Sequence, residues 1–143
     1  MANDRDSNVL SDAERVIAQR LIDEINEFNL EATGIAEFHE MLYVESDDEG
    51  DLIAGVYGWS WGGMGWIEAL WVREDVRHRG FGSRLLAAAE KEARRQGCAQ
   101  LALHTHTFQA VSFYERRGFE ALGELTDYPR GHSKLLLRKQ LQD

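Results

Sequence analysis

One stretch constrains this chain more than any other: Trp71-Val72-Arg73-Glu74-Asp75-Val76-Arg77-His78-Arg79-Gly80-Phe81-Gly82-Ser83-Arg84-Leu85-Leu86. An apolar β-type run ends at Val72 and a polar turn follows. A helical period then opens, with Phe81, Leu85, Leu86, Ala89 and Ala93 on one face and Gly97 as its stop. A strand that feeds an amphipathic helix needs a sheet for that helix to cover. Residues 99–105 supply the next strand, and their apolar character on both faces suits a buried one. The unit reads as strand, crossover helix, parallel strand.

Around this unit the periods change. Ser11-Asp12-Ala13-Glu14 reads as a capping box, and Val16, Ile17, Leu21, Ile25 and Phe28 follow at helical spacing, so a helix is expected over 12–28. Residues 1–10 read as frayed, and 30–37 as a loop or short helix broken at Gly34. Strands are expected at 39–45, 52–61 and 64–72. A charged turn at Asp47-Asp48-Glu49-Gly50 separates the first two, and Gly62-Gly63 marks a tight hairpin between the others. A short helix over 108–117, closed by Gly118, precedes strands at 119–125 and 133–139, with Pro129 and Gly131 in the loop between them. The expected fold is α/β: a mixed, mostly antiparallel sheet flanked by helices. No repeat or linker divides the 143 residues, so one domain, 1–143, is expected.

Charge and composition remove several functions. Sixteen basic against 25 acidic residues give −9, which repels nucleic-acid backbones and attracts cationic substrates such as amines. No run approaches the roughly 20 apolar residues of a membrane span, and the polar N-terminus carries no signal-peptide core, so a cytoplasmic protein is expected. A single cysteine, Cys98, leaves no internal disulfide and no cysteine metal cluster. At the head of a buried strand it reads as a small hydrophobe.

The turn before the crossover helix is where chemistry is expected. The first N–H groups of a helix lack internal acceptors, and the helix dipole makes that end positive. Glycines at 80 and 82 let an anion approach the backbone, and Arg77, Arg79 and Arg84 add charge. The dinucleotide fingerprint fails, because Leu85 stands where its third glycine belongs, and no Gly-Lys-Ser/Thr completes a Walker loop. The competing interpretation is that the glycines only allow close helix–sheet packing.

Arg77-x-x-Gly80-x-Gly82 between an apolar strand and an amphipathic helix resembles the acetyl-CoA-binding motif of the Gcn5-related N-acetyltransferase superfamily. Phe113-Tyr114-Glu115-Arg116-Arg117-Gly118-Phe119 resembles that family's second signature, in the right order with a strand between. The close resemblance covers residues 64–125. It implies the fold of that superfamily and acetyl-CoA as acyl-donor cosubstrate. The CoA pyrophosphate would lie on the backbone of Arg77, His78, Arg79, Gly80, Phe81, Gly82 and Ser83. The pantetheine arm would pair with the strand end at Leu70, Trp71 and Val72, where two strands splay. Thr107 stands where relatives carry an asparagine contacting pantetheine, with Gln109 as its replacement.

The resemblance also implies direct attack by an amine on the thioester. A lysine-like amine with pKa about 10.4 is neutral in about one molecule per 2,000 at pH 7, so a base or a selective site is needed. Tyr114, at the family's tyrosine position, is expected to protonate the leaving thiolate; a core aromatic is the alternative. Ala102 occupies the strand position where some relatives carry a glutamate base. Glu68 is therefore the expected base, because a mid-strand carboxylate costs free energy unless paired or functional, with a salt bridge or an exposed strand face as the alternative. His104 and His106, alternating on one face, are further bases; they lack a third ligand, so no metal site is expected.

Trp59, Trp61, Trp66 and Trp71 crowd the hairpin, with core packing as the default and an acceptor pocket or dimer contact as alternatives. Asp127, Tyr128 and His132 sit in a loop of the kind that borders the acceptor in the family. The expected enzyme acetylates a small-molecule or peptide amine, binds neither nucleic acid nor membrane, and is compatible with a homodimer. The rivals are a non-catalytic CoA-binding module and a transferase of longer acyl groups.

Overall fold

The computed structural model describes residues 9–141, so the expected fraying of 1–8 lies outside the described residues. The chain falls into two compact units, up to Ala36 and from Glu37 onward. The first is helix α1, Asp12–Thr33. Its capping box forms as read: the Glu14 N–H donates to Ser11 Oγ, and the Ser11 N–H donates to Glu14 Oε1, each at 3.2 Å. Those bonds hold the Glu14 carboxyl below its ordinary range. The helix outlasts its expected end at Phe28, since nothing between Asn29 and Thr33 breaks it. Gly34, left-handed at φ 70°, closes it.

The second unit is a six-stranded sheet: β1 Phe38–Ser46, β2 Leu52–Trp61, β3 Met64–Val72, β4 Gln100–His106, β5 Glu120–Thr126 and β6 Ser133–Gln140. Its order is β1-β2-β3-β4-β6-β5. Among the described strands, only β3 and β4 run parallel. Helix α2, Phe81–Arg95, makes the crossover between them, and α3 is a short turn at Val111–Glu115. The hairpin glycines, at φ 63° and 89°, join β2 to β3 as expected. α2 begins at Phe81, the first residue of its apolar period, because Gly80 before it is left-handed (φ 85°).

One face of the sheet carries the core. Leu85, Leu86, Ala89 and Ala93 of α2 cluster with Val56, Ile67, Leu101, Leu103 and Leu137 of the strands. Each fully buried leucine contributes about 1.5–3 kcal/mol. Cys98, buried, joins the cluster, and burial raises its thiol pKa. Because strand side chains alternate, Ala102, His104 and His106 point to the other face.

Two irregularities set up the site. Parallel pairing of β3 with β4 covers only Met64↔Gln100 to Ile67↔Leu103, after which the strands part. At the same level the β2–β3 register slips: Tyr57 faces Ala69 and Gly58 faces Ile67, leaving Glu68 as a bulge. Gly58 allows this approach, since any Cβ there would collide with the Trp66 carbonyl oxygen. No described helix is long and apolar enough to cross a membrane.

Candidate active site

The site lies at the carboxyl ends of the two parallel strands, where they diverge. Past Ile67, β3 is paired to β2 on one edge only, and β4 turns to β6 instead. Leu70 and Val72 pack toward the core, while Trp71 is exposed on the other face. The open edge of β3 from Glu68 to Val72 is therefore available to an extended ligand. Arg77 Nε donates to the Val72 carbonyl at 3.0 Å and pins the turn to that edge.

Beside it the turn presents backbone. His78 (φ 66°) and Gly80 (φ 85°) are both left-handed, a geometry that turns successive N–H groups toward one point. The first bond of α2 runs from the Arg84 N–H to the Gly80 carbonyl at 3.1 Å, so the N–H groups of Phe81, Gly82 and Ser83 have no acceptor within the helix. No described side chain caps this end. Arg77, Arg79 and Arg84 form no ion pair with any described carboxylate. Arg84 instead lies over the Phe81 ring, 4.7 Å from its centroid. The site thus suits a pyrophosphate: amide donors and three guanidinium groups on a chain of charge −9.

The two glycines differ in their work. Gly80 supplies the left-handed turn. A Cβ on Gly82 would meet the Phe113 ring at 3.3 Å, so this glycine also lets α3 pack closely against α2. That junction is tightened by Arg117, which stacks on Phe113, donates to the Phe113 carbonyl at 2.8 Å and bonds the Ser83 hydroxyl. Tyr114 sits here in the core, edge-on to Phe113 and Phe119. Its burial raises the phenol pKa, so the proton is firmly held at neutral pH.

On the opposite face, a cavity of about 460 Å³ is lined by Trp59, Trp66, Ile67, Glu68, His104, His106, Gln109 and Lys134. Glu68 and His104 are the first residues beyond the last β3–β4 pair, so they flank the mouth of the split. Glu68 is exposed, as the exposed-face alternative has it. The bulge brings it to the surface, and Trp59 Nε1–H orients it at 3.0 Å. The His104 ring packs against Trp66 at 5.3 Å. Desolvation, and then the ammonium of Lys134, keep it below the ordinary histidine value against the pull of Glu68.

Gln109 closes the end of β4: its Oε1 accepts the His106 N–H at 2.7 Å and the Thr105 hydroxyl at 3.2 Å. Thr107 is tied to β6, its hydroxyl accepting the Ser133 N–H at 3.1 Å. The structure thus gathers Glu68, His104, His106 and Gln109 around one cavity and leaves Tyr114 across the sheet. Trp59 and Trp66 line that cavity instead of the core, because their strand positions face away from α2. Lys134 escapes sequence reading: only the β4–β6 pairing, His106↔Lys134, brings it here.

The model of the Acetyltransferase (GNAT) family matches residues 11–119. The chain is 39% identical over 98 residues to blasticidin-S acetyltransferase of Streptomyces morookaense, covering 66% of this chain and 70% of that one. It is 32% identical over 133 residues to an acetyltransferase of Agrobacterium fabrum, covering 92% and 97%. Among solved structures, an acetyltransferase of Bacillus cereus superposes with TM-score 0.81 at 29% identity over 94% of this chain and 98% of that one. An aminoglycoside 6'-N-acetyltransferase complexed with coenzyme A shares the fold, with TM-score 0.62 and 19% identity over 73% and 74%.

Proposed function

The chain belongs to the GNAT acetyltransferase family, and from that premise we propose that it moves the acetyl group of acetyl-CoA to a small-molecule amine bound in the cavity beside Glu68 and His104. The observation that carries this reading is the split between β3 and β4, with an anion-binding turn at its rim and a ligand-sized cavity at its mouth. The volume falls in the range of small-molecule sites. The Streptomyces relative, by its name, takes blasticidin S.

Acetyl-CoA supplies an activated acyl thioester. The amides from His78 to Ser83 hold its pyrophosphate, with the side chains of Arg77, Arg79 and Arg84 beside them. The open edge at Leu70, Trp71 and Val72 aligns its arm so that the acyl carbon reaches the mouth of the split. Thr107 and Gln109 border the β4 side.

Glu68 holds the acceptor amine, and His104, neutral at pH 7, receives the proton that the nitrogen sheds as its C–N bond forms. As the C–S bond breaks, Tyr114 gives its phenolic proton to the departing sulfur and is recharged from solvent. The acid and the base thus work from opposite faces of the sheet. Each positioned proton-transfer group is worth about 10²–10⁴-fold.

Calorimetric titration with acetyl-CoA, followed by thiol release with an amine panel, tests this reading. Micromolar binding and amine-dependent release are expected. Tyr114→Phe keeps the binding and loses about 10²-fold in kcat. No binding of acetyl-CoA, or binding with no amine ever acetylated, overturns the reading.

A further inference from the structure

A second cavity, of about 240 Å³, lies next to the anion-binding turn, among α2, the chain just past α3, and β6. Its walls are Ser83, Leu86, Ala87, Glu90, Arg117 and Lys139. Ser83 belongs to both places. Its N–H is one of the three amides at the start of α2 without a helical acceptor, and its hydroxyl is bonded by Arg117. Ala87 and Glu90 follow it along the same side of the helix. One turn advances about 5.4 Å, so the cavity begins a single turn beyond the amides.

Arg117 is held in three ways. Its guanidinium lies over the Phe113 ring, 3.8 Å from the centroid, and donates to the Phe113 carbonyl at 2.8 Å and to the Ser83 hydroxyl. None of these partners is charged, and Arg117 forms no ion pair with any described carboxylate. On the other wall the Glu90 carboxylate is shared by Lys139 at 2.9 Å and Arg94 at 3.5 Å. Three cations and one carboxylate leave two positive charges in excess, in a chain whose net charge is −9. A guanidinium already fixed in place suits phosphate, because its planar fork is pre-organised and little side-chain freedom remains to be lost.

Resting on the transfer reading above, we propose that this cavity takes the 3′-phosphate of the acetyl-CoA ribose, with Arg117 as its principal ligand and Lys139 as the second cation. A phosphate monoester carries about −1.5 to −2 charges at pH 7, which matches the excess. The pyrophosphate hangs from the 5′ carbon of that ribose, and the 3′-phosphate from another carbon of the same sugar. The two anions therefore reach adjacent places on α2: the amides of its first turn and the cavity one turn on. The subsite separates CoA from ligands that carry the pyrophosphate alone.

Acetyl-CoA and 3′-dephospho-acetyl-CoA differ only in this group. Calorimetry is expected to show acetyl-CoA bound about ten- to a hundredfold more tightly, the worth of a charge-assisted contact. Arg117→Gln and Ala87→Glu each bring that ratio toward one. The first removes the cation. The second sets a carboxylate in the cavity from an exposed helical position, where Glu is a good helix former. Arg117→Lys restores part of the ratio. Loosening of α3 alone would weaken both ligands alike and leave the ratio in place. Equal affinity of the two ligands for the wild type overturns the proposal, as does a ratio unchanged in both Arg117→Gln and Ala87→Glu. Both ligands binding equally removes this inference alone; neither binding removes the transfer reading with it.

Discussion

The turn at Arg77–Ser83 and the cavity at Glu68 and His104 lie at two ends of one split, yet they are built differently. The turn is made of main chain. Its donors come from consecutive residues at a helix start, and its shape needs left-handed backbone at His78 and Gly80. The cavity is made of side chains from β2, β3, β4 and β6, which meet only because the strands pair in one register. A ligand group shared by every turnover, a pyrophosphate, suits the first kind of site, which tolerates side-chain change. A variable acceptor suits the second, where each wall is a separate residue to alter.

The comparison breaks most visibly at the proton-transfer groups. His104→Gln is expected to cost about 10²–10⁴-fold in kcat while acetyl-CoA affinity stays near the wild-type value. Its pH profile supplies the sign. The imidazole is the active form, so activity climbs as pH rises through His104's lowered pKa and levels off, with the midpoint below the ordinary histidine value. Loss of that limb in the Gln variant ties it to His104; an unchanged limb assigns the proton elsewhere.

Gly58→Val should fail at both ends, because both depend on the bulge. A side chain there would occupy the place of the Trp66 carbonyl oxygen, and a cost of about 3 kcal/mol is expected, read as a fall in Tm. Native stability in that variant would mean that the bulge can be rebuilt around a Cβ.

Smaller effects sharpen the turn side. Arg79→Gln should weaken acetyl-CoA binding about three- to tenfold, less at high salt, since an exposed charge acts through a screened field. Acceptor preference should not change; if it does, the two sites are not separable. The smallest effect belongs to Gly82→Ala. Helix propensity returns about 0.5–1 kcal/mol, while the contact with Phe113 must give by a few tenths of an ångström, so net stability stays within about 1 kcal/mol of wild type. Acetyl-CoA affinity should hold and kcat should fall, because Phe113 carries Tyr114 with it. A loss of affinity instead would place Gly82 at the phosphate.

The parts legible in the sequence are those that depend on neighbours along the chain. Strands β2 and β3 have the expected bounds, because alternating residues flank two glycines. The capping box, the crossover unit and the turn are likewise local. Glu68 was legible as a carboxylate out of place in mid-strand, but the bulge that leaves it without a partner on β2 was not. The tryptophans pointed to the core by default. Their true face depends on which side α2 covers, and no local pattern states that.

The sequence by itself determined the fold class and the glycine-bearing turn that resembles an acetyl-CoA-binding motif, because helix starts, glycine conformations and side-chain periods are properties of adjacent residues. Tertiary structure alone decided where the strands part, which rings line the cavity, that Glu68 and His104 flank the mouth of the split, and that Lys134 completes the wall. These are consequences of register between strands up to dozens of residues apart, and register is settled by the packing of the whole sheet.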